Sequence, residues 1–185
     1  MRGRLTELGI KLADVNQPPR DGIVLVAPVG HDATTTATMS QFDPERTLAI
    51  DPLFLSGRLT VMTTPVSRPE LRDSLCGVLR RAGATVTCIH DSPGFIAQRV
   101  LATIVNIGCD VAQQRIATPS DVDLGVELGL GYPSGPLALG DRIGPRTILD
   151  ILERMYEFYG DPRYRASPWL KRRAMLGRSL ACEEA

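Results

Sequence analysis

The spacing of apolar positions divides the chain in two. Up to Ile89, short apolar runs alternate with one convincing helical stripe; beyond Asp91, only helical spacing recurs. Ile23-Val-Leu-Val-Ala27, stopped by Pro28, has the unbroken apolar character of a strand buried on both faces, as in parallel sheets. Thr47–Ile50, Leu59–Thr63 and Ala84–Ile89 are further predicted strands. Residues 33–39 form a weak helix candidate capped by Asp32, its propensity lowered by three threonines. Ser67-Arg-Pro-Glu70 reads as a capping box with Ser67 as the cap; Leu71, Leu75, Val78 and Leu79 then line one face, and Gly83 ends the helix. The order strand, helix, strand, strand, helix, strand predicts a small α/β unit, too short for a complete doubly wound nucleotide-binding domain. Ahead of it, Leu5, Leu8 and Leu12 suit one face of a short helix, and Asn16–Gly22 reads as a loop.

Residues 91–115 carry the longest helical pattern. Asp91 or Ser92 is the expected cap, with Pro93 at the first helical position. Phe95, Val100, Ile104, Ile107 and Val111 make one apolar face, and Ala97, Leu101, Val105 and Ala112 a second. A helix apolar on most sides is packed on most sides, which predicts the centre of a helical domain. Thr118-Pro-Ser-Asp121 is another capping box, opening a helix to about Leu128. Gly129-Leu-Gly-Tyr-Pro-Ser-Gly-Pro136 reads as a rigid turn. Helices follow from Pro136 to about Ile143, from Pro145 through Ile148, Leu152, Met155 and Tyr159, and from Ser167 as a basic helix with Lys171, Arg172 and Arg173.

Composition adds little. An apolar fraction of 43% and a charged fraction of 23% are ordinary for a globular protein, and a formal net charge of zero implies no general affinity for polyanions such as nucleic acid. No apolar run is long enough to cross a bilayer, and Met1-Arg-Gly-Arg-Leu5 has no apolar stretch behind it, so neither membrane nor signal peptide is expected. The four cysteines lack zinc or redox-motif spacing, which suits free thiols in a reducing cytoplasm. His31-Asp32 and His90-Asp91 pair a base with a carboxylate in sequence, but both aspartates are better explained as helix caps. The cluster Arg163, Arg165, Lys171, Arg172, Arg173 and Arg178 reads as a solvated face or an interface, with phosphate binding as the alternative. Asp121, Asp123 and Glu127 show no metal-ligand spacing.

Several motifs together resemble one family. Asp91-Ser-Pro-Gly-Phe-Ile-Ala-Gln-Arg99, Ala117-Thr-Pro-Ser-Asp-Val-Asp123, Gly129–Gly144 and Gly160-Asp-Pro-Arg-Tyr164 are similar to signatures of the L-3-hydroxyacyl-CoA dehydrogenases. From Asp91 to about Leu170 the chain looks like that family's C-terminal helical domain; residues 23–90 look like the second half of its nucleotide-binding domain. The resemblance implies an α+β protein by halves: a partial Rossmann-like α/β unit at 1–90, then an all-α domain at 91–185 like that of the 6-phosphogluconate and 3-hydroxyacyl-CoA dehydrogenases. The family oxidises a 3-hydroxyacyl-CoA with NAD, in fatty-acid or aromatic-acid β-oxidation, a His–Glu pair removing the hydroxyl proton.

The chain departs from the family at the chemistry. Gly30 lies near the family's serine, Asp51-Pro-Leu-Phe54 falls at its His-Phe-Phe-Asn-Pro segment, Thr60 is matched to its glutamate and Gln98 to its asparagine. The glycine-rich dinucleotide loop has no counterpart. The resemblance therefore implies no catalytic, cofactor-binding or metal residue in this chain, which looks like the degenerate second half of a longer member. Pro93, Gly94, Phe95, Gln98, Arg99, Tyr132, Pro133, Gly135 and Pro136 are expected in structural or interface roles. The expected function is a dimerisation portion inert alone. The alternatives are an enzyme complemented by a chain carrying the NAD site, or an acyl-CoA-binding module. A cytoplasmic homodimer joined through the helical domain is expected.

Overall fold

The computed structural model describes residues 2–8, 11–13, 21–55 and 57–182. It divides into two compact units, residues 1–95 and 96–185. Most of the loop expected at Asn16–Gly22 lies outside the described residues.

The first unit is a four-stranded sheet with helices. Its elements are α1 (Arg2–Glu7), β1 (Val24–Val26), α2 (Ala33–Met39), β2 (Thr47–Ile50), β3 (Arg58–Thr63), α3 (Pro69–Arg81) and β4 (Thr85–Ile89). The strands lie side by side in chain order. β1 runs parallel to β2, β2 antiparallel to β3, and β3 parallel to β4, so the sheet is mixed. Side chains alternate across it. Leu48, Ile50, Leu59, Val61 and Val86 face Leu5 of α1 and Leu75, Cys76 and Leu79 of α3. Val26, Ala49 and Met62 face Ala33 of α2 and Phe95. Both faces are thereby covered, which suits the continuous apolar runs of β1 and β2.

Two caps differ from expectation. Ser67 does not cap α3: the cap position is Arg68, which makes no side-chain capping bond. The Ser67 hydroxyl instead donates to the Thr47 carbonyl at 3.0 Å and accepts from the Thr64 amide at 2.8 Å, tying the α3 approach to β2. The long helix begins later than its proline suggests. Residues 93–96 form a turn, and α4 runs Ala97–Gln113. Gly94 (φ 77°) and Phe95 (φ 46°) both take left-handed backbone angles, which a helix start at Pro93 would forbid. The turn is anchored by Phe95, fully buried beside Val26, Ala33, Ala49 and Met62, so the unit boundary falls at Phe95/Ile96, beyond the expected 90/91.

The second unit is helical among its described residues. α4 packs against α5 (Pro119–Leu130), α6 (Pro136–Ile143), α7 (Pro145–Tyr159) and α8 (Pro168–Leu176); a 3₁₀ turn, Pro162–Tyr164, joins the last two. Four of these helices open on proline, where its missing amide and fixed φ cost nothing. α4 is central, as its pattern predicts, but it buries the narrow face Gln98, Ala102, Val105, Asn106, Gly108, Cys109 and Ala112. Small residues let the neighbours approach: a Cβ at Gly108 would lie 2.8 Å from Pro136 Cγ. The expected apolar face is largely uncovered. Val100 and Ile107 are 48% and 59% exposed, and Ile104 and Val111 only half-buried. α5 starts as expected on Thr118, whose hydroxyl accepts from the Asp121 amide, and ends on left-handed Gly131, taking Gly129 into the helix.

Candidate functional site

The signature-bearing segments converge in two places, one in each unit. In the first, the Asp91 carboxylate reaches the start of α2, 58 residues earlier. It accepts from the Ala33 amide at 2.8 Å and the Thr34 amide at 3.1 Å, and the Thr34 hydroxyl also donates to it. Asp32 accepts from the Thr35 amide of the same helix. Both aspartates therefore cap α2, and Asp91 does not cap the helix that follows it. Burial pushes the Asp91 carboxyl above its ordinary pKa; the Thr34 and Ala33 hydrogen bonds oppose the rise.

This arrangement bears on a dinucleotide. Pyrophosphates bind where amides at a helix N-terminus point outward unpaired, usually beyond a glycine-rich turn. Here the first amides of the helix after β1 are held by two carboxylates, and the preceding Ala27-Pro-Val-Gly-His31 carries a single glycine. These residues do not fit a dinucleotide phosphate.

The family's reacting positions are equally altered. The Asp51 amide donates to the Thr60 carbonyl, so Asp51, just past the end of β2, sits opposite Thr60 on β3. Residue for residue, Leu59-Thr-Val-Met against Leu-Val-Glu-Val places Val61, not Thr60, at the glutamate, and Val61 is fully buried in the α3-facing core. Asp51 is also buried and accepts from the Leu53 amide at 3.0 Å. Neither threonine nor valine removes a proton from a hydroxyl at neutral pH.

The second convergence lies in the helical unit, around the beginning of α4. Gln98 is 1% exposed. Arg99 donates from Nη2 to the Tyr159 hydroxyl at 2.8 Å, and its guanidinium carbon lies 5.2 Å from that ring's centroid. Tyr159 in turn stacks near Tyr164, with centroids 5.6 Å apart. Two helical turns further, Asn106 donates to the Arg165 carbonyl at 3.0 Å and accepts from the Ser167 amide at 2.8 Å, clamping the approach to α8. Asn106 lies outside both of the apolar faces that the spacing predicts for this helix. Its signal is the run of small residues Ala102, Gly108, Cys109 and Ala112 on the same side, which marks the close-packed face.

The turn Gly131–Pro136 is held by the acidic group of α5. Asp123 accepts from the Leu137 amide at 2.7 Å and the Ala138 amide at 3.0 Å, capping α6; Glu127 accepts from the Gly135 amide at 2.8 Å. A Cβ at Gly135 would fall 2.3 Å from Asp123 Cβ. Gly135 and Pro136 are buried, whereas Tyr132 and Pro133 are exposed. The basic segment divides similarly. Arg173 leaves the solvated face assigned to it: it is 5% exposed, its guanidinium carbon is 3.2 Å from the Trp169 ring centroid, and Nε donates to the Cys182 carbonyl at 2.9 Å. A shallow depression of about 240 Å³ in this unit is lined by Glu153, Tyr156, Tyr164, Arg165, Ala166 and Lys171.

Comparison with known proteins agrees with this arrangement. Residues 94–180 match the family model described as 3-hydroxyacyl-CoA dehydrogenase, C-terminal domain. The 3-hydroxyadipyl-CoA dehydrogenase of Escherichia coli (strain K12) is 41% identical over 98 residues, 53% of this chain and 21% of that protein. A 3-hydroxybutyryl-CoA dehydrogenase of Clostridioides difficile is 37% identical over 116 residues, 63% of this chain and 39% of its own length. Among solved structures, that of 3-hydroxybutyryl-CoA dehydrogenase from Escherichia coli K12 superposes with a TM-score of 0.73 at 28% identity, covering 90% of this chain and 37% of the other. Both units thus have counterparts, and the matches span well under half the length of these relatives.

Proposed function

We propose that this chain, whose residues 94–180 match the C-terminal-domain model of the 3-hydroxyacyl-CoA dehydrogenases, is a structural and dimerising portion of such an NAD-dependent enzyme, without catalysis on its own. The observation that carries the reading is the uncovered apolar stripe of α4, Val100, Ile104, Ile107 and Val111, in a domain whose other helices close around its opposite face. The altered chemistry supports it: carboxylates occupy the first amides of α2, and Val61 lies where the family's pattern has glutamate. An acyl-CoA module would instead hold its ligand's phosphates in a basic-walled pocket beside Gln98. The depression near Lys171 does not include Gln98, and Glu153 offsets its cations, with Oε1 3.4 Å from Lys171 Nζ.

Calorimetry of the purified chain with NAD and NADH tests the reading. No heat of binding is expected. Micromolar affinity for either would overturn it, and would favour an enzyme completed by another chain.

A further inference from the structure

The first unit contains a feature that the dehydrogenase reading leaves unused. Cys76 lies on the sheet-facing side of α3, buried with Leu75 and Leu79. Cys88 lies on β4, the last strand of the sheet, two residues after Val86 and therefore on the same face. The two Sγ atoms are 2.8 Å apart, about 0.8 Å longer than a covalent S–S bond. No disulfide joins Cys76 and Cys88, whose sulfurs meet as thiols.

We infer that Cys76 and Cys88 are a redox modification site, which a small-molecule disulfide such as oxidised glutathione converts to an intramolecular disulfide clamping α3 to β4. Accessibility sets the order of events. Cys88 is exposed, whereas Cys76 is buried and its thiol is pushed up to about 12, first by burial and then by the hydrogen bond and charge of Cys88. The Cys88 thiolate attacks one sulfur of the oxidised glutathione; that S–S bond breaks and one glutathione thiolate leaves. Cys76 then gives its proton to solvent and attacks the Cys88 sulfur, and the second glutathione thiolate leaves. The protons lost by the two cysteines are matched by those the two glutathione thiolates take up. Two protein thiols are oxidised to one disulfide, and one glutathione disulfide is reduced to two thiols. Cys109 stays out of the reaction, being buried with its thiol also pushed up to about 12 by burial. Cys182 is exposed and lies in the other unit, which makes it the internal control.

The experiment is a non-reducing tryptic map after incubation of the folded chain with oxidised glutathione. Cleavage after Arg72, Arg80, Arg81 and Arg99 places Cys76 in peptide 73–80 and Cys88 in peptide 82–99. The expected product is these two peptides joined, from protein that runs at the mass of a single chain on a non-reducing denaturing gel; the link is released by dithiothreitol, abolished by Cys76→Ala or Cys88→Ser and retained in Cys182→Ser. Circular dichroism confirms that each variant is folded; Cys88→Ser, at an exposed position, is the safer of the first two. A stable glutathione adduct on Cys88, a link between two chains, or full alkylation of both cysteines after the incubation would overturn the inference.

Discussion

The two units treat their apolar faces differently. In the sheet unit, helices or the Phe95 turn cover both faces, and the largest apolar side chains of the strands are inside. In the helical unit, α4 packs a narrow face of small and polar residues and leaves a broader apolar stripe outside. The lesson concerns selection of contacts. A sheet with two covered faces needs no further partner for those faces, whereas a helix that buries glutamine and asparagine while exposing valine and isoleucine is suited to being covered by something else.

The largest effect that breaks or sharpens this contrast is on mass. Light scattering at roughly tens of micromolar should give twice the chain mass, falling to the monomer for Ile107→Glu with the melting temperature of the dilute chain unchanged. A monomer at that concentration would remove the contrast. Next comes Gly135→Val. Its side chain would overlap Asp123, including backbone, so the helical unit should lose about 3 kcal/mol in denaturant unfolding, and unaltered stability would show the turn free to move. Gly94→Val should cost roughly 1–3 kcal/mol, because φ at 77° excludes a β-branched residue. With Phe95 buried in the sheet unit, hydrogen exchange should show that loss in β1, α2 and β3 rather than in the helical unit.

The smallest effect is a pH dependence. Asp91 is more readily protonated in the folded than in the unfolded chain, since burial raises its pKa. The folded state then binds more protons across the interval between the two values, so this group's contribution is fully present below the unfolded pKa and is lost as pH rises through the folded one. Melting temperatures of the chain and of Asp91→Asn, followed upward from acid pH, should converge or diverge in that sense: the parent declines relative to the variant. A constant difference would contradict the direction of the shift.

Local patterns with one meaning were legible in advance. The four strands, the Thr118 cap and the proline starts of α6 and α7 depend on neighbours in sequence, and the structure has them. The misassignments share a cause: each involves a polar side chain whose partner is remote. Ser67 turns to Thr47, Asp91 to Ala33 and Asn106 to Ser167. Each has a plausible local role, as a cap or as a break in an apolar face, and nothing within a few residues shows that a distant amide or carbonyl takes precedence. The same reasoning misjudged α4, where counting apolar residues chose the wide stripe and residue size would have chosen the narrow one. At the candidate site, motif likeness located the entry turn and the acidic turn, while Asn106 and the buried Arg173 emerged only from geometry.

The bond from Asp91 to α2 also dictates an order of assembly. α2 is seven residues long and rich in threonine, too short and too weak a helix former to persist alone. Two of its first amides find their acceptor only after the chain has laid down β2, β3, α3 and β4 and brought residue 91 back across 58 positions. Closing that loop is an entropic cost met late, so α2 should be the last helix of its unit to gain protection during refolding and the first to lose it. It also tells the experimentalist where to cut: a fragment ending at residue 90 discards the cap along with Phe95, whereas one ending a few residues beyond Phe95 keeps both.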